Sequence, residues 1–180
     1  MNEQAQEILD MFYDLKNTSG TNAKKEKLCD YIETGFETIL ALQHVLNTLK
    51  PTGIGKKSWN NIEPSDEPEW RVIDYIDWLQ HGGHSSHADL ALAKSQERYF
   101  GELAYILATK DISMGFTANT FNKIAKEFGV KGIPLVSPML SKNINSLSDK
   151  KLDQFLENKA YVTTKLDGIR ALAIHNDIEW

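Results

Sequence analysis

Through the first 130 residues the apolar side chains return every three or four positions, and each run is cut by a glycine or a proline. That rhythm predicts short helices packed by one face, and it leaves little room for a sheet. Ile8, Leu9, Phe12 and Leu15 make a first stripe that ends at "NTSG". A second helix, about Ala23 to Thr34, carries Leu28, Tyr31 and Ile32 and is broken by Gly35. A third runs on Phe36, Ile39, Leu40, Val45, Leu46 and Leu49 until Pro51, which cannot continue a helix. After the turn-rich loop "PTGIGKKSWNNIEPSDEP", the helix of "EWRVIDYIDWLQ" is expected to bury Trp70, Ile73, Ile76 and Trp78 or their neighbours. A glycine break at "HGGHSSH" precedes a helix on Leu90, Leu92, Tyr99, Leu103, Ile106 and Leu107. The last of the set has Thr117 or Asn119 as its N-cap, Phe121, Ile124 and Phe128 inward, and Gly129 as its stop.

After Gly132 the texture changes. "IPLVSPML" is short, apolar and held extended by two prolines, and Leu152 to Leu156 suits one short helix. Two alternating segments follow, Tyr161 to Lys165 and Ile169 to His175, which read as a β-hairpin. The expected class is therefore mainly α: an all-helical domain, residues 1–133, then the opening of an α+β domain, residues 134–180. Two or three strands are too few to close a sheet domain, so the second domain reads as incomplete.

No run approaches the roughly 18 to 20 consecutive apolar residues that cross a bilayer, and "MNEQAQEILD" has neither the basic flank nor the apolar core of a secretion signal. The expected compartment is the cytoplasm, with no membrane partner. Cys29 is the single cysteine, which excludes an internal disulfide; its neighbours Leu28, Tyr31 and Ile32 suit a buried structural thiol. The net charge of −5 is unlike that of a typical nucleic-acid binder, but it is unevenly spread. Residues 61–110 hold four Lys or Arg against nine Asp or Glu, which accounts for the whole deficit. A basic face remains open on either side of this acidic middle.

Chemistry concentrates in "TKLDGIRALA". A lysine is nucleophilic only as the neutral amine, so its pKa of about 10.4 must be lowered by burial or by nearby positive charge. Lys165 ends one alternating segment; Leu166, Asp167 and Gly168 form the turn, and Arg170 opens the return with a fork of donors suited to phosphate or ribose oxygens. An ordinary β-turn with solvated charges would use the same residues, and Lys-x-Asp-Gly-x-Arg arises by chance in roughly one chain of this length in several hundred.

The surroundings sharpen the reading. "TKLDGIRALA" resembles the nucleotidyltransferase signature shared by DNA ligases, RNA ligases and mRNA capping enzymes. "PLVSPMLSKN" resembles the Pro-Met-Leu segment that opens the nucleotidyltransferase domain of ATP-dependent DNA ligases, and "ILATKDISMGFTANTFNKIAKEFG" and "GIGKKSW" are similar to the helical DNA-binding domain that precedes it, particularly in bacteriophage ligases. The resemblance spans nearly the whole chain and is strongest from Asp111 to Ile174. It implies that residues 1–133 form a helical DNA-binding domain and residues 134–180 the first part of an adenylation domain. It implies that Lys165 attacks the α-phosphorus of ATP, that Asp167 and Gly168 shape the pocket, and that Arg170 contacts nucleotide and nick phosphate. Thr164 and Leu166 flank the lysine where the family places backbone groups near adenine. ATP and Mg²⁺ are the implied cofactors and nicked duplex DNA the implied partner, in replication, repair and recombination; a monomer is expected.

The family's later features, beginning with a Ser-Arg-x-Gly segment, do not occur in these 180 residues. The expectation is an N-terminal part of a ligase, inactive alone, acting as a DNA-binding module or completed by a second polypeptide. An RNA ligase or capping enzyme fits less well with the long helical region and the "SPML" segment.

Four further features remain. His81, His84 and His87 invite a zinc reading, but no cysteine is near and two glycines loosen the backbone, so a polar loop is the simpler account. Gly53 and Gly55 offer backbone amides beside Lys56 and Lys57, a small anion-binding arrangement; an exposed basic turn is the plain alternative. Gly115 to Asn119, leading through Thr117 into a helix, could hold another phosphate. The aromatics Trp59, Trp70, Trp78, Tyr99 and Phe100 read as core side chains in preference to base-stacking platforms.

Overall fold

The chain divides into a first unit, Met1–Leu135, and a second, Val136–Trp180. The computed structural model describes residues 2–135. The extended segment at "SPML", the short helix at 152–156 and the two alternating segments therefore lie outside the described residues, as do Thr164 to Arg170.

Among the described residues every regular element is helical: α1 (Glu3–Asn17), α2 (Thr21–Thr34), α3 (Phe36–Leu46), α4 (Lys56–Asn60), α5 (Val72–Gln80), α6 (His87–Ser95), α7 (Glu97–Phe100), α8 (Glu102–Thr109) and α9 (Ala118–Glu127). The unit is mainly α, as the spacing predicts, and no helix in it is long and apolar enough to cross a membrane. Helix α1 follows its sequence closely. Asn2 caps it, Oδ1 accepting from the amide of Ala5 at 2.8 Å, and Ile8, Leu9, Phe12 and Leu15 all point inward. Helix α9 ends at the expected glycine in a Schellman turn: Val130 N–H donates to Ala125 O and Gly129 N–H to Lys126 O.

The core gathers on α8, which packs against α1, α3, α5, α6 and α7. Leu103, Ala104, Ile106, Leu107 and Ala108 are all buried, so this helix is covered nearly all round. Around it lie Phe12, Leu42, Tyr75, Ile76 and Phe100, with Phe121 under α9. Tyr75 hands its hydroxyl to the carbonyls of Ala93 and Ala104, 3.3 Å from each, and its ring tilts against Phe100 at 5.6 Å.

Several local expectations are corrected. The stretch expected as one helix on Leu90 to Leu107 is three, separated at Gln96 and Gly101. Gln96 is fully buried; its amide accepts from Trp70 N–H at 3.0 Å and donates to Pro68 O at 3.0 Å, tying the loop before α5 to the helix junction. Helix α3 stops at Leu46 and buries Ala41, Leu42, His44 and Val45, leaving Phe36 62% exposed. The turn-rich loop contains the short helix α4, whose Trp59 is buried beneath the Lys94 ammonium, 4.8 Å from its ring centre. In α5 the inward face is Val72, Tyr75, Ile76 and Leu79, with Trp70 and Trp78 half-buried. Cys29 is half-buried, and burial together with Glu127, Asp30 and Glu33 raises its thiol pKa, away from reactivity.

Candidate nucleic-acid interface

The two glycine loops singled out in the sequence are both built against the C-terminal end of α3. The first, Pro51 to Gly55, is held from below by Thr52, a buried side chain whose hydroxyl donates to Ala108 O at 2.5 Å and accepts from Ile54 N–H at 3.2 Å. Thr52 O in turn accepts from His84 N–H at 3.2 Å, so the loop seats on the double-glycine turn Gly82–Gly83. Gly53 has φ +84, and a Cβ there would lie 3.2 Å from the backbone nitrogen of His84. Only glycine meets both demands. Gly55 differs: its φ is −98, a Cβ would meet nothing within 4 Å, and it serves as N-cap of α4.

This arrangement explains the histidines. His84 is buried, stacked on Trp78 with ring centres 3.6 Å apart, and its Nε2 lies 2.7 Å from Trp78 O. His81 Nδ1 lies 2.8 Å from Asp77 O, and His87 is exposed in the first turn of α6. Among the described residues no group of three His, Cys, Asp or Glu is placed to hold a metal ion. The aromatic residues also follow the core reading, Trp59 and Phe100 fully and Trp70, Trp78 and Tyr99 in part.

The second loop, Asp111 to Thr117, leads into α9. Gly115 has φ +74, and a Cβ there would stand 2.7 Å from Lys24 Nζ. That lysine is a strut: Nζ donates to Leu15 O at the end of α1, 2.9 Å away, and to Met114 O in the loop. Its charge fixes the loop from behind while Ser113, Gly115, Thr117 and Asn119 remain exposed. Thr117 takes the extended N-cap conformation without a side-chain cap bond, so the hydroxyl stays available.

Between the loops runs a chain of three neighbouring hollows. One of about 470 Å³ is lined by Asn47, Thr48, Gly53, Gly55 and Lys110; one of about 340 Å³ by Thr48, Thr117, Asn119 and Leu135. A third, of about 350 Å³, lies under Ser113, Gly115 and Thr117. Thr48 borders the first two, and Val45 and Leu46 the latter two. Gly53, Gly55, Gly115, Thr117 and Asn119, distant in sequence, thus face one concave strip.

The two lysines of the first loop part company. Lys56 turns away from the strip to Asp111, Nζ to Oδ2 3.4 Å, with Tyr105 donating to the same carboxylate oxygen at 2.5 Å. Lys57 is exposed. A different lysine enters the strip, one that sequence reasoning passed over. Lys110 caps α8 in the left-handed conformation, φ 55 and ψ 24, uncommon for a residue with a side chain. Its Nζ donates to Asn47 O at 2.7 Å and Lys50 O at 2.8 Å, pinning the end of α3. Burial and the neighbouring Lys50 push its amine down to about 8. The available signal was a cation just past an apolar helix, where such residues meet the helix dipole.

Beneath Lys110 lies His44, also overlooked. It is 1% exposed, its Nε2 lies 2.8 Å from Leu107 O, and Nδ1 has no partner among the described residues. Burial first, then Lys110, holds its pKa down to about 4, so the ring is neutral near pH 7.

No protein-family model, curated sequence or solved structure matches this chain.

Proposed function

We propose that the chain is the N-terminal part of an ATP-dependent DNA ligase, with a helical unit that holds nicked duplex DNA and a nucleophile, Lys165, that carries AMP. The observation that carries the reading is Lys165-x-Asp167-Gly168-x-Arg170 preceded by "SPML" at the spacing such enzymes use. The concave strip along Thr48 supports it: the two glycine loops, Thr48, Thr117 and Lys110 line one surface, and residues of these types can contact phosphate without reading base sequence. In this reading bound Mg²⁺ would neutralise charge developing on the phosphates. The neutral amine of Lys165 attacks the α-phosphorus of ATP; a P–N bond forms, the P–O bond to pyrophosphate breaks, and the amine proton leaves to solvent. Arg170 contacts the phosphates, Asp167 and Gly168 shape the turn, and Thr164 and Leu166 flank the adenine. Transfer of AMP to a nick 5′-phosphate, then displacement by the 3′-hydroxyl, completes sealing.

The test uses ATP labelled at the α-phosphate and Mg²⁺. The 180-residue chain alone is expected to capture little AMP. Supplied with a segment carrying Ser-Arg-x-Gly and the later ligase features, it is expected to label on Lys165, and Lys165→Ala should abolish the label. No lysine-dependent label in that reconstituted form refutes the catalytic reading. A second reading, a DNA-binding module without chemistry, is favoured by the strip itself. It predicts retention of nicked duplex at low salt that weakens steeply as salt rises, with or without Lys165.

A further inference from the structure

At its N-terminal end, α3 meets α5 along a groove of about 360 Å³ lined by Phe36, Leu40, Ile73, Asp74, Asp77 and Gln80. Phe36 and Leu40 stand one turn apart on α3, while Ile73, Asp77 and Gln80 form a single stripe on α5. Phe36 is 62% exposed, more than Leu135 at 52% or Phe128 at 37%, the other exposed large apolar residues described. Nothing in the helix requires a phenylalanine there: as the first residue of α3 it contributes neither to the cap nor to the buried face, which is Ala41, Leu42, His44 and Val45. Phe36, Leu40 and Ile73 thus give the groove an apolar side, and Asp74, Asp77 and Gln80 give it a polar one.

The charge around it selects the partner. No basic residue lines the groove. Asp74 is held by Arg71 through two bonds of 2.7 Å, but Asp77 has no ion pair among the described residues. Such a rim repels phosphate and attracts Lys or Arg. The groove also lies far from the strip proposed for DNA: from Phe36 to Leu46, at the other end of α3, the rise is about 15 Å. The groove and the strip share no lining residue.

We propose that this α3–α5 groove docks a basic segment of a partner protein, with an apolar side chain of that segment seated between Phe36, Leu40 and Ile73. Asp77 pairs with a flanking Lys or Arg. From Ile73 to Gln80 the stripe is about 10 Å long, enough for two turns of an amphipathic helix laid along it. The docking is independent of the ligase reading, because it uses residues that reading leaves idle.

The probe is a 14-residue peptide of Lys and Leu with its leucines at helical spacing, titrated into the ¹⁵N-labelled 180-residue chain. The control is the same peptide with every Lys replaced by Glu. Amide shifts confined to Phe36, Leu40, Ile73, Asp77 and Gln80 and their neighbours are expected with the Lys peptide only. Phe36→Ser, which leaves the buried face intact, should weaken binding about tenfold, as loss of an aromatic anchor does. Asp77→Asn should weaken it several-fold and flatten its salt dependence. Retention of nicked duplex by Phe36→Ser should equal that of the parent, which separates failure here from failure of the ligase reading. Shifts scattered over other helices, equal binding of the Glu peptide, or full affinity in Phe36→Ser overturns the proposal. So does a concentration-dependent dimer in sedimentation velocity that Phe36→Ser abolishes, which would assign the groove to a second copy of the chain.

Discussion

Gly53 and Gly55 look alike in sequence, two glycines of one loop beside two lysines, yet the structure separates them sharply. Replacing Gly53 with alanine places a side chain at φ +84, which costs about 1 to 2 kcal/mol for a non-glycine residue. The new Cβ also stands 3.2 Å from His84 N and 3.5 Å from Gly83 C, backbone atoms already bound into the Thr52–His84 contact, so they cannot move aside cheaply. Stiffening of the unfolded chain returns roughly 0.4 to 1 kcal/mol. With overpacking at those two contacts adding about 1 to 2 kcal/mol, the net loss is about 2 kcal/mol. At Gly55 the φ is −98 and the space is empty, so the same gain in the unfolded chain offsets a weaker helix cap, and the change stays within about 0.5 kcal/mol. Urea unfolding followed by helical circular dichroism reads the difference. With a slope of roughly 2 kcal/mol per molar, Gly53→Ala should lower the midpoint by about 1 M and Gly55→Ala should leave it nearly in place. Equal midpoints for the two variants, or a larger loss at Gly55, would refute the interlocked-loop account.

Three other outcomes follow from particular side chains. His44 has a folded pKa of about 4 against about 6.5 unfolded, so its contribution is complete above pH 6.5 and is lost as pH falls toward 4, roughly 3 kcal/mol in all. Ring signals of His44 that titrate near pH 6.5 in the folded chain would contradict this. Thr52→Val strips buried bonds from Ala108 O and Ile54 N–H and should cost about 2 kcal/mol, seen as a lowered urea midpoint with an unchanged helical spectrum; no change in midpoint counts against the strut role of the hydroxyl. Phe12→Ala empties the space beside α8 and should cost about 3 to 5 kcal/mol, so that a thermal melt within about 3 °C of the parent would show Phe12 lies outside the core.

What could be read in advance follows from which forces act locally. The helical character, the inward stripe of α1 and the glycine stop of α9 depend on spacing and on capping groups a few residues away, and spacing displays them. The buried face of α3 depends on its neighbours. By apolarity Phe36, Ile39 and Leu40 outrank Ala41 and His44, but close packing on α5 and α8 favours the small side chain, and Leu107 O receives the imidazole. The break at Gln96 was invisible for a similar reason: the periodicity passes through it, and only bonds from Gln96 to the distant residues Pro68 and Trp70 make the interruption favourable. Gly101, at φ 57, had a local signal in its residue type. In the candidate interface Gly53 and Gly115 were legible because their positive φ needs glycine, while nothing at Gly55 does; Lys110 was harder to see, because its role is to hold the carbonyls of Asn47 and Lys50, some sixty residues earlier.

The connection from Ile62 to Arg71 has the composition of a spacer, with two prolines and four acidic residues, and an engineer choosing where to insert a tag or open new termini would pick it first. Its bonds advise against that. Ser65 N–H donates to Ala91 O, Tyr99 hydroxyl to Glu67 O, and Asn2 Nδ2 to Glu69, while Gln96 holds Pro68 and Trp70 from inside. Cutting or lengthening it releases α6, α7 and the start of α1 together. The turn at Asn17 to Gly20, exposed at Ser19 and Gly20 and closed chiefly by Thr18 folding back on Asp14 O, is the better place for a graft.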